Sequence, residues 1–295
     1  MGNRSRPKAS ETPMFSKRPV KALPFCDAAS SLLRVPVIVH EANVIPGKAV
    51  NLLARFAAAV AVSFEESRAR FPGKNCLHTG FPIRKRLMTS GAGKIVGKDL
   101  FTILVMGGSQ GAHALNEIVS RAICRAWRKG VRLQVIHLAG AVDEVVVRGR
   151  YEEAGVPNAV YAFLTDMGLA YAEADFAVCR AGAATCAELS AAGVPALLVP
   201  FPFATANHQL ANAKALERTG LADVIEEHAL NEEWLADCIE RVKSDTRKLE
   251  KMKKAVGLLA AGDAAAKIAD LVEKVAGGCR NGGCGLRRES ERLSR

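Results

Sequence analysis

The sequence predicts an α/β fold built on parallel sheets, and three observations carry that prediction. Short apolar runs of strand length alternate with helix-length segments from Ala28 to about residue 277. Several of these runs, FTILVM at 101–106 and DFAVC at 175–179 among them, are apolar almost throughout, as strands buried on both faces are. Small-residue turns then join strand to helix, GGSQGA at 107–112 and RAGAAT at 180–185. In such sheets ligands sit at the carboxyl ends of the strands. Over Asp175 to Ala213 those ends bring Arg180, Gly182, Thr185, Glu188, His208 and Gln209 into one region.

Taken in order, residues 1–27 show no periodic pattern and read as a disordered leader. AASSLLR closes a helix, PVIVHE is a buried strand, and GKAVNLLARFA is a helix opening near Pro46 and Gly47. AAVAVSF is a strand, EESRARF a short helix, and NCLHTG a strand running into FPIRKRL. About two strand–helix units fall short of a doubly wound domain, so residues 28–97 read as a partial one. TSGAGKIVGKD at 89–99, rich in Gly and Lys, reads as a linker. A fuller domain spans 98–277. FTILVM breaks into the glycine turn, and HALNEIVSRAICRAWRKG is an amphipathic helix. RLQVIHLAG, AVYAF, DFAVC, PALLVPF and ADVIE follow as strands, with helices at about 142–154, 166–174, 183–192 and 208–219. Helices over WLADCIERVKS, TRKLEKMKKAVGLLA and AAAKIADLVEKVAG close the domain, and 278–295 form a basic tail.

The net charge of +11 suggests an anionic partner until it is located. Residues 1–27 contribute +4 and residues 277–295 contribute +3, which leaves +4 between them. With aromatics at 5%, stacking platforms for nucleic acid are not expected. No apolar run approaches the roughly 18 residues of a membrane span, and the basic first residues lack the apolar core of a secretory signal. A cytoplasmic protein is expected, touching a membrane only from its surface. Cys124, Cys179, Cys186 and Cys238 fall on apolar faces and read as buried free thiols. Cys279 and Cys284 flank RNGG, but a structural zinc takes four ligands, and no metal is expected.

The turn GGSQGA lets a backbone approach an anion, with free N–H groups at the helix start and the Ser109 hydroxyl to hold it. It is neither the P-loop nor the spacing of the dinucleotide fingerprint, and glycine turns also serve packing. Glu188, on the helix after RAGAAT, can accept both hydroxyls of a ribose. Alone it would read as an exposed helix acid, and His208-Gln209 as surface residues. Their joint position at the carboxyl ends of one sheet favours a ligand.

HEAN, TGFPIR, GGSQGA, RAGAATCAEL, VPFP and NHQLANA, in that order, closely resemble the MurG family, from about Ala28 to residue 275. Its members move N-acetylglucosamine from UDP-N-acetylglucosamine onto lipid I in peptidoglycan synthesis, without metal or cofactor and with inversion. The resemblance implies a GT-B fold, two Rossmann-like domains facing a cleft, the first of them incomplete here. It places Ser109 at the donor phosphates and the Leu164 backbone at the uracil edge. Ala183, Ala184, Thr185, Cys186, Ala187 and Glu188 wrap the nucleotide, with Glu188 on the ribose. Gln209, next to His208, reads the sugar hydroxyls, and Asn43 and Arg84 reach the donor from the first domain. Phe81 stands where the family usually has Asn, and Ala206-Asn207 where an Asp pair is common.

The family's opening GTGGH-type motif, which carries its proposed catalytic base, does not occur here, nor does 1–27 resemble the region around it. The expectation is therefore an amino-terminally truncated transferase. It would bind UDP-N-acetylglucosamine and meet a lipid-linked acceptor at the cytoplasmic face of the membrane, with its catalytic residue unknown and His40 the nearest substitute. Two alternatives are a UDP-sugar-binding subunit served by a separate amino-terminal half and an inactive copy.

Overall fold

Two parallel sheets organise the chain. The structure, a computed structural model, describes residues 35–84, 87, 94–97, 99–107, 112–255 and 263–280. The first sheet has strands β1 (Ile38–Glu41), β2 (Ala59–Val62) and β3 (Cys76–His78), in that order. Helix α1 (Lys48–Leu53) joins β1 to β2, and a 3₁₀ turn (Glu65–Arg70) joins β2 to β3. Both are tighter than GKAVNLLARFA and EESRARF suggested. The first stops at Leu53 because the Ala58 N–H bonds the Val37 carbonyl at 2.8 Å and draws the chain into the sheet. The second is wound so that Ser67, fully buried, donates its hydroxyl to the Asn43 carbonyl at 2.9 Å. Of the predicted leader, opening helix, linker and tail, all but a few residues lie outside the described ones.

The second sheet comprises β4 (Phe101–Met106), β5 (Leu133–Leu138), β6 (Asn158–Tyr161), β7 (Phe176–Cys179), β8 (Ala196–Leu198) and β9 (Ala222–Val224). All pairs are parallel, in the order β6-β5-β4-β7-β8-β9. Between them run α2 (His113–Arg128), α3 (Glu144–Glu153), α4 (Met167–Glu173), α5 (Ala183–Ala192) and α6 (His208–Thr219). Helices α7 (Glu232–Ser244), α8 (Thr246–Lys254) and α9 (Ala264–Arg280) follow. The strand order reverses between β4 and β7, which makes the crevice beyond their carboxyl ends the expected ligand site.

Both faces of this sheet are covered, so its strands need no polar alternation. Along β4, Ile103 and Val105 pack with Leu115, Val119 and Ile123 of α2 and Ile239 of α7. Leu104 and Met106 face the other way, onto Tyr171 of α4, Leu189 of α5 and Leu216 of α6. Helix α9 returns to the first sheet, where Leu271 packs with Ala59 and Ala61 of β2, with Ile38, Ile268 and Val275 around them. The described residues from Pro36 onward form one compact unit.

Candidate functional site

The crevice is shaped first by the turn after β7. Gly182 caps α5 in an extended conformation, and Gly193 ends that helix in the left-handed region at φ 69°, where glycine meets no Cβ penalty. The helix between them has one side for the core and one for solvent. Cys186, fully buried, and Ala187 at 7% exposure pack inward, while Thr185 and Glu188 line a cleft of 620 Å³. This size is ordinary for a small-molecule site. Its other walls are Met106 and Leu138 at the ends of β4 and β5, the loop Phe163–Asp166 after β6, and Phe81 to Arg84 after β3. A groove of 760 Å³ beside β9 is larger, but it lies at the sheet edge, away from the β4–β7 crevice, and is spanned by the Lys248–Asp223 ion pair.

Glu188 is the polar centre of the cleft. Its Oε2 accepts a hydrogen bond from the Tyr171 hydroxyl at 2.7 Å. Burial raises the Glu188 carboxyl above the ordinary range, while that bond and the positive charge of Arg84 pull it back. Leu164 also lines the cleft, and its backbone N–H and C=O make no hydrogen bond among the described residues.

A second group of polar residues holds the turn from behind. Gln209 Oε1 accepts from Ala181 N–H at 3.2 Å and Phe201 N–H at 3.0 Å, and its amide NH₂ has no partner among the described residues. One turn further along α6, Asn212 is fully buried. Its Nδ2 donates to the Ala181 carbonyl at 3.2 Å and to Asn43 Oδ1 at 3.0 Å, and its Oδ1 accepts from Val44 N–H at 3.0 Å. Asn43 in turn donates its N–H and Nδ2 to Glu41 Oε1, at 2.8 and 3.2 Å. Two residues three apart on one helix therefore hold both backbone groups of Ala181 and the loop after β1. His208 donates Nδ1–H to the Thr205 carbonyl at 2.7 Å. It follows Ala206 and Asn207, both left-handed at φ 53° and 54°, a conformation that costs a non-glycine residue about 1–2 kcal/mol.

The sequence-predicted residues thus divide. Arg84, Leu164, Ala184, Thr185 and Glu188 meet at the cleft. The side chains of Cys186 and Ala187 do not, because their helix turns them into the core, and Ala183 packs against that core as well. Asn43, His208 and Gln209 are not in the cleft wall; Asn43 and Gln209 belong to the network behind it. Ser109 lies outside the described residues. His40 does not line the cleft either; its Nε2 is 3.2 Å from Ser63 Oγ and its ring sits edge-on to Phe81 at 6.3 Å. Burial lowers its pKa and keeps the imidazole neutral. Sequence reasoning missed Tyr171, Glu41 and Asn212. For Asn212 the one available signal was a polar residue among the alanines of its helix; Tyr171 and Glu41 carried none.

Residues 102–273, more than half of the chain, match the family model described as glycosyltransferase family 28 C-terminal domain. A protein of Myxococcus xanthus, named UDP-N-acetylglucosamine–N-acetylmuramyl-(pentapeptide) pyrophosphoryl-undecaprenol N-acetylglucosamine transferase, is 38% identical over 82% of this chain and 63% of its own length. One of the same name from Anaeromyxobacter (strain Fw109-5) is 42% identical over 81% of this chain and 63% of its own. The crystal structure of Acinetobacter baumannii MurG superposes with a TM-score of 0.71 at 33% identity, covering 86% of this chain and 71% of that one. The chain belongs to the MurG family, within glycosyltransferase family 28. The GT-B fold of MurG is the fold seen here, with the cleft at the switch point of its second sheet. The chain spans 63% of the length of these two relatives.

Proposed function

We propose that the protein binds UDP-N-acetylglucosamine in the 620 Å³ cleft and serves transfer of the sugar to undecaprenyl-pyrophosphoryl-MurNAc-pentapeptide. The observation that carries this reading is Glu188, a half-buried carboxylate in the cleft of a MurG-family fold, where Leu164 presents a backbone with no partner among the described residues. The carboxylate suits a ribose diol, and the Leu164 N–H and C=O suit the hydrogen-bonding edge of uracil. Arg84 supplies positive charge for the diphosphate, as do the N–H groups at the starts of α2 and α5. The Gln209 NH₂, without a partner among the described residues, is assigned to the sugar hydroxyls. In this reading residues 28–97 are acceptor-side and 98–277 donor-side, with the boundary near Lys98.

Transfer proceeds by attack of the acceptor hydroxyl on the anomeric carbon while UDP departs with the bonding pair. Donors fixed around the diphosphate stabilise the charge that develops there. The hydroxyl proton needs a base, and among the described residues the cleft wall contains Asp166 and Glu188 as carboxylates and no histidine. No helix among the described residues is long and apolar enough to cross a membrane. In this reading the lipid-linked acceptor is met at the membrane surface, on its cytoplasmic side.

Calorimetric titration with UDP-N-acetylglucosamine, in the presence of a chelator, tests the donor site. Saturable binding is expected, weakened by about 1–3 kcal/mol in Glu188→Ala, the cost of leaving polar partners unpaired. An unchanged affinity in that variant removes Glu188 from the site. Incorporation of labelled N-acetylglucosamine into a short-chain acceptor lipid tests the transfer.

A further inference from the structure

We propose that Tyr171 is a positioning residue for the nucleotide: its hydroxyl, spent on Glu188 Oε2, fixes the carboxylate and leaves Oε1 to accept from the ribose hydroxyls. The proposal rests on the donor reading above and names what makes its key side chain effective. Tyr171 comes from α4, which packs on β4 and α5, and is 4% exposed. Among the described residues its hydroxyl has two hydrogen-bond neighbours, Glu188 Oε2 at 2.7 Å and Met106 Sδ at 3.8 Å. The thioether is a weak acceptor, so the carboxylate takes the proton.

Three features make this more than packing. A phenyl ring would fill this space without a hydroxyl, as phenylalanine would, yet the tyrosine oxygen is placed against the Glu188 carboxylate. Burial raises the Tyr171 phenol well above its usual range, so it stays a donor wherever Glu188 is ionised. Glutamate also loses much rotamer freedom when it is held, and a ligand meeting a free carboxylate would have to supply that ordering itself. With one oxygen anchored, the other has a fixed place before the nucleotide arrives.

The charged and titratable groups near Glu188 are few. Arg84 faces it from the segment after β3, Asp166 lines the same cleft, and Cys179 of β7 and Cys186 of α5 lie beside Tyr171. Tyr171 and Arg84 both favour the ionised carboxylate against burial. Removing the hydroxyl therefore raises the Glu188 pKa further, and the pH below which nucleotide binding fades moves upward.

The test compares the wild-type chain with Tyr171→Phe and Tyr171→Leu, using UDP and 2′-deoxy-UDP as probes. Thermal melts accompany the binding curves. Tyr171→Phe keeps the ring and its packing. It is expected to melt near the wild-type temperature, to bind UDP about tenfold more weakly, and to lose most of the preference for UDP over 2′-deoxy-UDP. Its UDP-binding curve should also fade at a higher pH. Tyr171→Leu, which removes ring and hydroxyl together, should melt lower as well. If Tyr171→Phe matches the wild type in both probes while Tyr171→Leu alone is impaired, the residue is packing and the proposal is overturned. Equal loss for both nucleotides with no movement along the pH axis overturns it too. Failure of the wild-type chain to bind UDP sinks the donor reading itself, and this proposal with it.

Discussion

Asn212→Ala should separate the loop after β1 from the turn after β7. The side chain is fully buried and makes three hydrogen bonds, to Asn43 Oδ1 and Val44 N–H at 3.0 Å and to the Ala181 carbonyl at 3.2 Å. Each is worth about 1 kcal/mol net, and leaving the buried Val44 N–H and Ala181 carbonyl unpaired adds desolvation cost, for a total of about 3–5 kcal/mol. For a chain of this size that is a fall in Tm on the order of 10 °C. Asn212→Asp is expected to be no milder, because it sets a carboxylate oxygen against two carbonyl oxygens where an amide had donated. Calorimetric melting gives the global loss, and hydrogen exchange at the Val44 amide reports the local one. A fall in Tm under about 3 °C, with the Val44 amide still protected, would refute the assignment of Asn212 as the link.

Three further outcomes follow from other parts of the molecule. UDP affinity should fall with pH: the Glu188 pKa is raised in the folded chain, ribose binding needs the ionised form, and titration at stepped pH should show loss on the acid side only. The same raised pKa means that the folded chain holds this proton more tightly than the unfolded one, so Glu188 itself disfavours folding as pH rises through its folded value. Leu271→Ala, at a site 5% exposed against β2, should cost about 2–5 kcal/mol in a urea melt, with exchange rising first in β1 and β2. Thiol labelling of the native chain should spare Cys186, pushed up to about 12 by burial, and Cys179, raised for the same reason; of the described thiols, Cys76 should react first.

The second sheet was legible because most of its strands, β4, β7 and β8 above all, are nearly unbroken apolar runs between turn residues, as strands covered on both faces are. Helices 183–192 and 208–219 were readable to the residue because glycines at 193 and 220 end them. In the first sheet α1 ran short, since nothing in KAVNLLARFA announces that a backbone bond from Ala58 to Val37 will end the helix. Glu188 was visible through its place after a strand–turn–helix. Its partner was not: Tyr171 lies 17 positions upstream on another helix, and a tyrosine among alanines looks like core until the fold puts it against a carboxylate. Asn43 and Gln209 were found as residues, but the hydrogen bonds that hold them were not legible. Gln209 Oε1 accepts from the Ala181 and Phe201 N–H groups, and Asn43 Oδ1 accepts from Asn212, a contact 169 positions apart that no local pattern contains.

The return of α9 to the first sheet has a consequence in time. During synthesis Ile38 emerges long before Ile268, and the ribosome adds about 5–20 residues per second. For ten seconds or more, on the order of magnitude those rates imply, Ala59 and Ala61 lack the helix that will cover them. The second sheet can form meanwhile, since its strands and the helices that cover it are all made before α9. Of the described strands, those made first are thus the last to be sealed. The exposed face of β2 is where a chaperone would find this chain unfinished, and where loss of α9 by proteolysis would send it back to that state.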